Sequence, residues 1–235
     1  MRVQKVVIMS AAQIGKTDAL ILNPICYYMH YDPSPIMVMQ PTIQMAETFS
    51  KDRLTPMLRD TPVLRDKVND KSRNSGNTIL QKIFPGGHVT MVGANSPSSL
   101  ASRPIRILLA DEIDRYPATA GNEGDPPLLA GKRLATFWNK KEVCVSTPTI
   151  KETSRIAVEY EHSTQEEWNV PCPACGAYTP LLWANIIFDK DKLDDIGCVC
   201  PACGVVSSET EWKEQFGKGK FVAAHPERKV RGFHL

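Results

Sequence analysis

Short runs of aliphatic and β-branched residues, each closing on small or polar ones, mark the first 150 positions. Val3, Val6, Val7, Ile8 and Met9 make one buried strand, and Asp18-Ala19-Leu20-Ile21-Leu22 then starts a helical pattern. Ile36 to Met39 reads as a second strand. Gln40-Pro41-Thr42 follows it, with Thr42 placed to cap a helix over Ile43 to Leu58. Thr78 to Leu80 and His88 to Val92 suggest a hairpin across Pro85-Gly86-Gly87. Ile105-Arg106-Ile107-Leu108-Leu109-Ala110, apolar from Ile107 on, runs into Asp111-Glu112-Ile113-Asp114, while Glu142 to Val145 ends at Ser146-Thr147-Pro148-Thr149. Continuous apolar strands alternating with helical patterns predict an α/β fold. It would have a mostly parallel sheet and flanking helices over residues 1–160. A smaller module is expected over 161–216, with a short helix from Glu209 to Phe216, and residues 217–235 read as a linker.

Composition narrows the function classes. The 235 residues are 42% hydrophobic, enough to bury a sizeable core. The longest apolar run, Ile25 to Met29, falls far short of the roughly 20 residues of a membrane span. The first residues lack the apolar stretch of a secretory signal. A net charge of +2 hides an asymmetry: residues 1–150 carry 18 Lys and Arg against 13 Asp and Glu, and residues 151–235 carry 10 against 13. The two parts therefore differ in sign, and in role.

Seven cysteines argue against a closed disulfide framework. Cys26 and Cys144 stand in apolar surroundings and read as small buried hydrophobes. Five others fall in 32 residues. Pro171-Cys172-Pro173-Ala174-Cys175-Gly176 and Val199-Cys200-Pro201-Ala202-Cys203-Gly204 are nearly one hexapeptide repeated. In each, proline fixes φ on entry and glycine permits a positive φ after the second cysteine, so two thiolates converge on one ion. Two such knuckles predict a four-thiolate structural Zn²⁺ site on Cys172, Cys175, Cys200 and Cys203, in a zinc-ribbon module. Cys198 is an alternative ligand to Cys200, disfavoured by the match of the two hexapeptides.

The first strand runs directly into Ser10-Ala11-Ala12-Gln13-Ile14-Gly15-Lys16-Thr17 and then the helix. Strand, small-residue loop ending Gly-Lys-Thr, helix: this is the context of a P-loop. Backbone N–H groups from Gln13 to Thr17 would wrap phosphate, Lys16 would reach the β- and γ-phosphates, and Thr17 would ligate Mg²⁺. Ser10 departs from the glycine usual at that position. The acidic strand supplies the complement, with Asp111 for Mg²⁺ and Glu112 to polarise the attacking water. Ser146 and Thr147, at a neighbouring strand tip, are placed to sense the γ-phosphate and couple hydrolysis to movement. Arg103 is a candidate arginine finger toward a neighbouring subunit.

In this order, these motifs resemble the large terminase subunit of tailed bacteriophages, GpA type. Gln40-Pro41-Thr42, Gly76-Asn77-Thr78, Phe84-Pro85-Gly86-Gly87, Gly93-Ala94-Asn95-Ser96, Gly124-Asp125-Pro126, the two cysteine knuckles and Gly232-Phe233-His234-Leu235 extend the likeness along the whole chain. The resemblance implies a P-loop ATPase of the strand-catalytic-Glu class that pumps double-stranded DNA into a procapsid. It implies a homo-oligomeric ring, a small terminase subunit and the portal protein as partners, and the host cell cytoplasm as location. Lys16, Thr17, Asp111 and Glu112 fall on the family's catalytic positions, and Ser146 and Thr147 on its coupling motif. The family's adenine-closing N-terminal segment is expected to be missing, and so is its C-terminal nuclease. Asp189, Asp191, Asp194 and Asp195 interleave with lysines as a solvated loop, so no nuclease activity is expected. Two other readings share parts of the pattern: a superfamily 2 helicase-like translocase fragment, and a non-catalytic zinc-binding scaffold with a degenerate nucleotide site.

Overall fold

A computed structural model describes residues 3–68, 76–150, 152–189 and 192–235, with the backbone alone at 192–195. Lys190 and Asp191 of the interleaved acidic stretch lie outside the described residues.

Thirteen strands form among the described residues. They are β1 (Lys5–Met9), β2 (Pro35–Gln40), β3 (Gln81–Phe84), β4 (Gly87–Gly93), β5 (Ile107–Asp111), β6 (Lys141–Ser146), β7 (Glu166–Pro171), β8 (Tyr178–Pro180), β9 (Ile186–Asp189), β10 (Lys192–Val199), β11 (Val206–Ser208), β12 (Lys220–Ala223) and β13 (Arg231–His234). The main sheet has the order β12-β7-β13-β1-β6-β5-β2-β4-β3, with β8 beside β7. From β7 through β13, β1, β6, β5 and β2 to β4 every pairing is parallel; β3, β8 and β12 are antiparallel additions at the sides. The fold is thus mixed α/β with a mostly parallel sheet. Its strands come from within 1–160, from 161–216 and from 217–235.

Both faces of the central strands are covered, which is why their sequences are continuously apolar instead of alternating. On one face Ile8, Ile36, Val38, Ile107, Leu109 and Val145 pack under Ile21, Ile25, Met29, Phe49, Leu54 and Leu58. On the other, Val7, Met37, Met39, Leu108, Ala110 and Cys144 meet Leu100, Ala130, Leu134, Ile156 and Tyr160. Each fully buried side chain of this size contributes about 1.5–3 kcal/mol. Cys144 is buried as expected, and Cys26 is half-buried against Met57.

The helices agree with the expected pattern in place but not in regularity. Residues 43–60 run as helix Ile43–Phe49, a π-helical turn Ser50–Leu54 and helix Thr55–Asp60. Thr42 caps its start, accepting the Met45 amide at 3.2 Å. Asp18–Leu22 is likewise π-helical and continues as helix Asn23–His30. The helix expected over Glu209 to Phe216 is shorter, Glu209–Lys213, and is opened by a capping box of Ser208 and Glu211.

The hairpin differs in register from its expected form. Phe84 pairs with Gly87, so its turn is the two residues Pro85-Gly86, with Gly86 at φ +86°. Proline followed by a positive-φ glycine makes a type II turn. This tight turn places the strand at Gln81–Phe84, and Thr78 to Leu80 lie before it.

β9, β10 and β11 form a separate three-stranded sheet. A small core of Val170, Cys172, Cys198, Cys200 and Trp212 joins it to the end of β7. No helix among the described residues is long and apolar enough to cross a membrane.

Candidate nucleotide site and cysteine cluster

Parallel strands bring their C-terminal ends to one rim, and the polar residues that end the apolar runs meet there. Met9, Gln40, Asp111 and Ser146 are the last residues of β1, β2, β5 and β6. The loop Ser10 to Thr17 rises from β1 at this rim. Gln13 at φ 60° and Gly15 at φ 76° turn it in the left-handed region, the second at a residue with no Cβ to object. The loop entry is fastened on both sides. The Ser10 amide donates to the Ser146 carbonyl at 3.1 Å and the Ala11 amide to the Leu235 carbonyl at 2.9 Å. Leu235 in turn donates its amide to the Met9 carbonyl at 2.9 Å.

Lys16 is buried. Its Nζ lies 2.9 Å from Glu112 Oε1 and 2.5 Å from Thr147 Oγ1. Glu112 stands at φ 56°, ψ 48°, a left-handed conformation that costs a non-glycine residue about 1–2 kcal/mol. That strain turns its carboxylate back over the loop instead of letting it follow the strand. Asp111 Oδ2 accepts from Gln40 Nε2 at 3.1 Å and from the Thr17 hydroxyl at 3.4 Å. Asp111 Oδ1 is buried without a hydrogen-bond partner. Burial pushes the Asp111 carboxyl up, and the Gln40 hydrogen bond acts against that rise. A buried carboxylate oxygen with no donor, beside a threonine hydroxyl, fits a hard divalent cation. Ser146 Oγ accepts the Asp114 amide at 3.3 Å and donates to the Thr147 carbonyl at 3.2 Å.

Five of the sequence-derived residues therefore meet at the rim in two adjoining bonded sets, Lys16 with Glu112 and Thr147, and Asp111 with Thr17. Ser146 borders it, and Gln13, Ile14 and Gly15 belong to its loop, Ile14 being exposed. Arg103 is not brought to this cluster. It lies beside His88, at the opposite end of β4 from the rim, where burial, with the Arg103 charge adding to it, lowers the His88 pKa. Gln40, Asp114 and Leu235 had no role from sequence reasoning. Gln40 was signalled by its position, the polar end of a buried strand beside the acidic one. Leu235 carried no signal, since its part is played by backbone atoms.

The two cysteine hexapeptides fold alike. Gly176 and Gly204 both stand at φ 74°. The Gly176 amide donates to the Cys172 carbonyl at 2.9 Å, and the Gly204 amide to the Cys200 carbonyl at 2.8 Å. The sulfurs of Cys172, Cys175, Cys200 and Cys203 all lie within 4.8 Å of one another, a group able to hold a metal ion. Cys172 Sγ is 3.9 Å from Cys203 Sγ, and Cys175 Sγ is 3.9 Å from Cys200 Sγ. Cys198 is not in the group; its carbonyl accepts from Trp212 Nε1 at 3.1 Å.

Comparison with known proteins places the chain in a family. The chain is 24% identical over 225 residues to the terminase large subunit of Enterobacteria phage P21, covering 92% of this chain and 35% of that protein. It is 25% identical over 181 residues to the terminase large subunit of Escherichia phage lambda, covering 74% of this chain and 28% of that one. It thus spans about a third of the length of these relatives. Among solved structures, a mutant form of the large terminase ATPase domain of Thermus phage P74-26 has the same fold, with TM-score 0.50 and 14% identity. That likeness covers all of this chain and 77% of the other. The family model for the ATPase domain of the phage terminase large subunit gpA matches residues 1–221, and the chain belongs to that family.

Proposed function

We propose that this chain is the ATP-hydrolysing motor region of a terminase large subunit, driving the packaging of double-stranded viral DNA into a procapsid. The supporting observation is the convergence of Lys16, Thr17, Asp111, Glu112 and Thr147 at the rim of a parallel sheet. ATP would lie with its phosphates along Gln13 to Thr17, where loop amides and Lys16 meet negative charge. Mg²⁺, held by Thr17 and Asp111, would neutralise charge on the phosphate oxygens as the γ-phosphoryl is transferred. An incoming γ-phosphate competes with Glu112 for Lys16. Glu112 so released can accept a proton from the attacking water, its left-handed turn holding it over the loop. Thr147, bonded to the same lysine, registers the exchange and passes it into the segment after β6.

Cys172, Cys175, Cys200 and Cys203 would hold a structural Zn²⁺. Four thiolates at about 2.3 Å from one ion stand about 3.8 Å apart, close to the two separations found here. The ion would substitute for a core that the small module cannot bury by itself. Arg103, remote from its own site, would act on the nucleotide of the next subunit in a ring. DNA, the small terminase subunit and the portal protein would be the partners, met in the host cell cytoplasm.

The direct test is Mg²⁺-dependent ATP turnover by the chain and by Glu112→Ala, with and without duplex DNA. Turnover in the wild type and a loss of about 10²-fold or more in the variant is expected. A wild type that neither hydrolyses nor binds ATP would favour a scaffold role and sink the motor reading.

A further inference from the structure

Asp114 lies three residues past Asp111, and the nucleotide chemistry above does not use it. Its Oδ2 accepts from the Thr149 amide at 2.9 Å and from the Thr149 hydroxyl at 3.1 Å. Its Oδ1 accepts from the Ile156 amide at 2.8 Å. Its own amide donates to Ser146 Oγ. One residue therefore fastens three segments: the turn carrying Glu112, the loop leaving β6 through Thr147, and the first turn of helix Arg155–Glu161.

Helix capping accounts for the bond to the Ile156 amide, a donor of the helix's first turn, but not for the two bonds to Thr149. The helix already has an N-cap in Ser154, whose hydroxyl accepts the Ala157 amide at 3.2 Å. Asp114 adds bonds that cross between segments, and a carboxylate acceptor makes them strong ones. The turn that bears it is short and stiff. Ile113–Arg115 is a single 3₁₀ turn, closed by the Tyr116 amide donating to the Ile113 carbonyl at 3.2 Å and anchored to β2 by the Tyr116 hydroxyl donating to the Met39 carbonyl at 2.7 Å. The helix it grips packs on β1 and β13, with Ile156 and Tyr160 buried. Arg155 ties the helix further, to Asp125 at 2.7 Å and to the Pro117 carbonyl at 2.8 Å.

Lys16 holds two of the same segments from the other side, bonding both Glu112 and Thr147. The segments thus have two clasps, one cationic and open to competition by phosphate, one anionic and remote from it. We propose that Asp114 is a positioning residue. When Lys16 changes partner, Asp114 keeps the Glu112 turn and the Thr147 loop together and delivers their displacement to helix Arg155–Glu161. This rests on the nucleotide reading of the site.

The test uses the whole chain, a non-hydrolysable ATP analogue with Mg²⁺, amide hydrogen exchange across residues 155–161, and steady-state ATP turnover. Asparagine at 114 keeps one acceptor where two oxygens are in use, so one arm of the clasp opens. For Asp114→Asn, analogue affinity within about threefold of wild type is expected, with kcat lower by about 10- to 100-fold. The exchange response of residues 155–161 to the analogue, present in the wild type, is expected to vanish. Thr149→Val, which removes the hydroxyl bond alone and is milder for folding, should weaken the response in the same direction. It carries the test if Asp114→Asn does not fold. Ser154→Ala should speed exchange of the helix with and without analogue yet keep both the response and turnover. An Asp114→Asn protein with wild-type response and kcat overturns the proposal, as does Ser154→Ala losing both to the same extent. For Thr149→Val, an undiminished response counts against it. A wild type that fails to bind the analogue rejects the nucleotide reading itself, and this inference with it.

Discussion

Gln40 is 4% exposed, ends β2, and gives its amide to the same Asp111 oxygen that Thr17 contacts. It leaves the other Asp111 oxygen free of donors, which is the arrangement a metal-binding carboxylate requires. Gln40→Leu keeps the volume and removes the donor, so the carboxylate loses the bond that fixes its orientation. About tenfold more Mg²⁺ should then be needed for half-maximal turnover. Gln40→Glu should be worse, because it sets a second negative charge beside Asp111. Mg²⁺ titrations of turnover, supported by Mn²⁺ binding, check this; unchanged metal dependence in Gln40→Leu would remove Gln40 from the site. At this scale the sequence was informative where side-chain identity and spacing mark a residue. Lys16, Thr17, Asp111 and Glu112 stand out that way, and the structure brings them to one rim. The left-handed turn at Glu112 is set by packing around it, and no residue type announces it.

Among elements, the join between β7 and β13 has the clearest physical consequence. Glu166 is buried on β7, and Arg231 on β13 binds both its oxygens, while Thr164 donates to it at 2.8 Å. Burial raises the Glu166 pKa, but the hydrogen bonds from Arg231 and Thr164 outweigh it, and the net shift is downward. A lowered carboxylate pKa stabilises the fold above the unfolded value, and that stability is lost as pH falls through the folded one. The join should therefore hold at neutral pH and weaken below about pH 4.3. Glu166→Gln should cost about 2 kcal/mol at pH 7 and less in acid; urea unfolding at pH 7 and pH 3.5 measures both. The cysteine module gives a second expectation. Trp212 is 3% exposed, whereas Trp138, Trp168 and Trp183 are exposed. If the four cysteines hold the proposed zinc, chelating it should red-shift tryptophan emission and speed amide exchange around residues 172–212, with little effect at β2 and β5. A shift without zinc release would contradict the metal reading. β1, β2, β5 and β6 were legible because burial on both faces demands unbroken apolar runs. β13, Arg-Gly-Phe-His, was not, since it contributes backbone pairing and one half-buried ring and looks like a surface segment.

Across the whole molecule, β13 lies between β7 and β1, so a strand near residue 231 completes the sheet that carries the loop at residue 10. Val6 pairs with Arg231 and Met9 with His234, and Leu235 bonds both Met9 and Ala11. Such distant parallel pairing is slow to form, because the chain must be ordered over a long span before any bond repays it. The close fit here depends on Gly232. A Cβ at that position would sit 1.7 Å from Ser163 Oγ and 2.5 Å from Ser163 Cβ; the Oγ is held by its hydrogen bond to the Tyr160 carbonyl at 2.6 Å, and the Cβ cannot rotate away. Gly232→Ala must push β13 away from Ser163, at a cost of about 1–3 kcal/mol. If β13 merely filled space, the loss would end there. Since Leu235 fastens the entry of the nucleotide loop, the same change should also loosen that loop, weakening ATP-analogue binding more than the stability loss alone explains. Gly217→Ala is the matched control, because nothing lies within 4 Å of its added Cβ. Urea unfolding and analogue titration of the two variants decide the matter. Equal analogue affinity in Gly232→Ala and Gly217→Ala, with only stability differing, would mean that the far end of the chain supports the sheet but not the site.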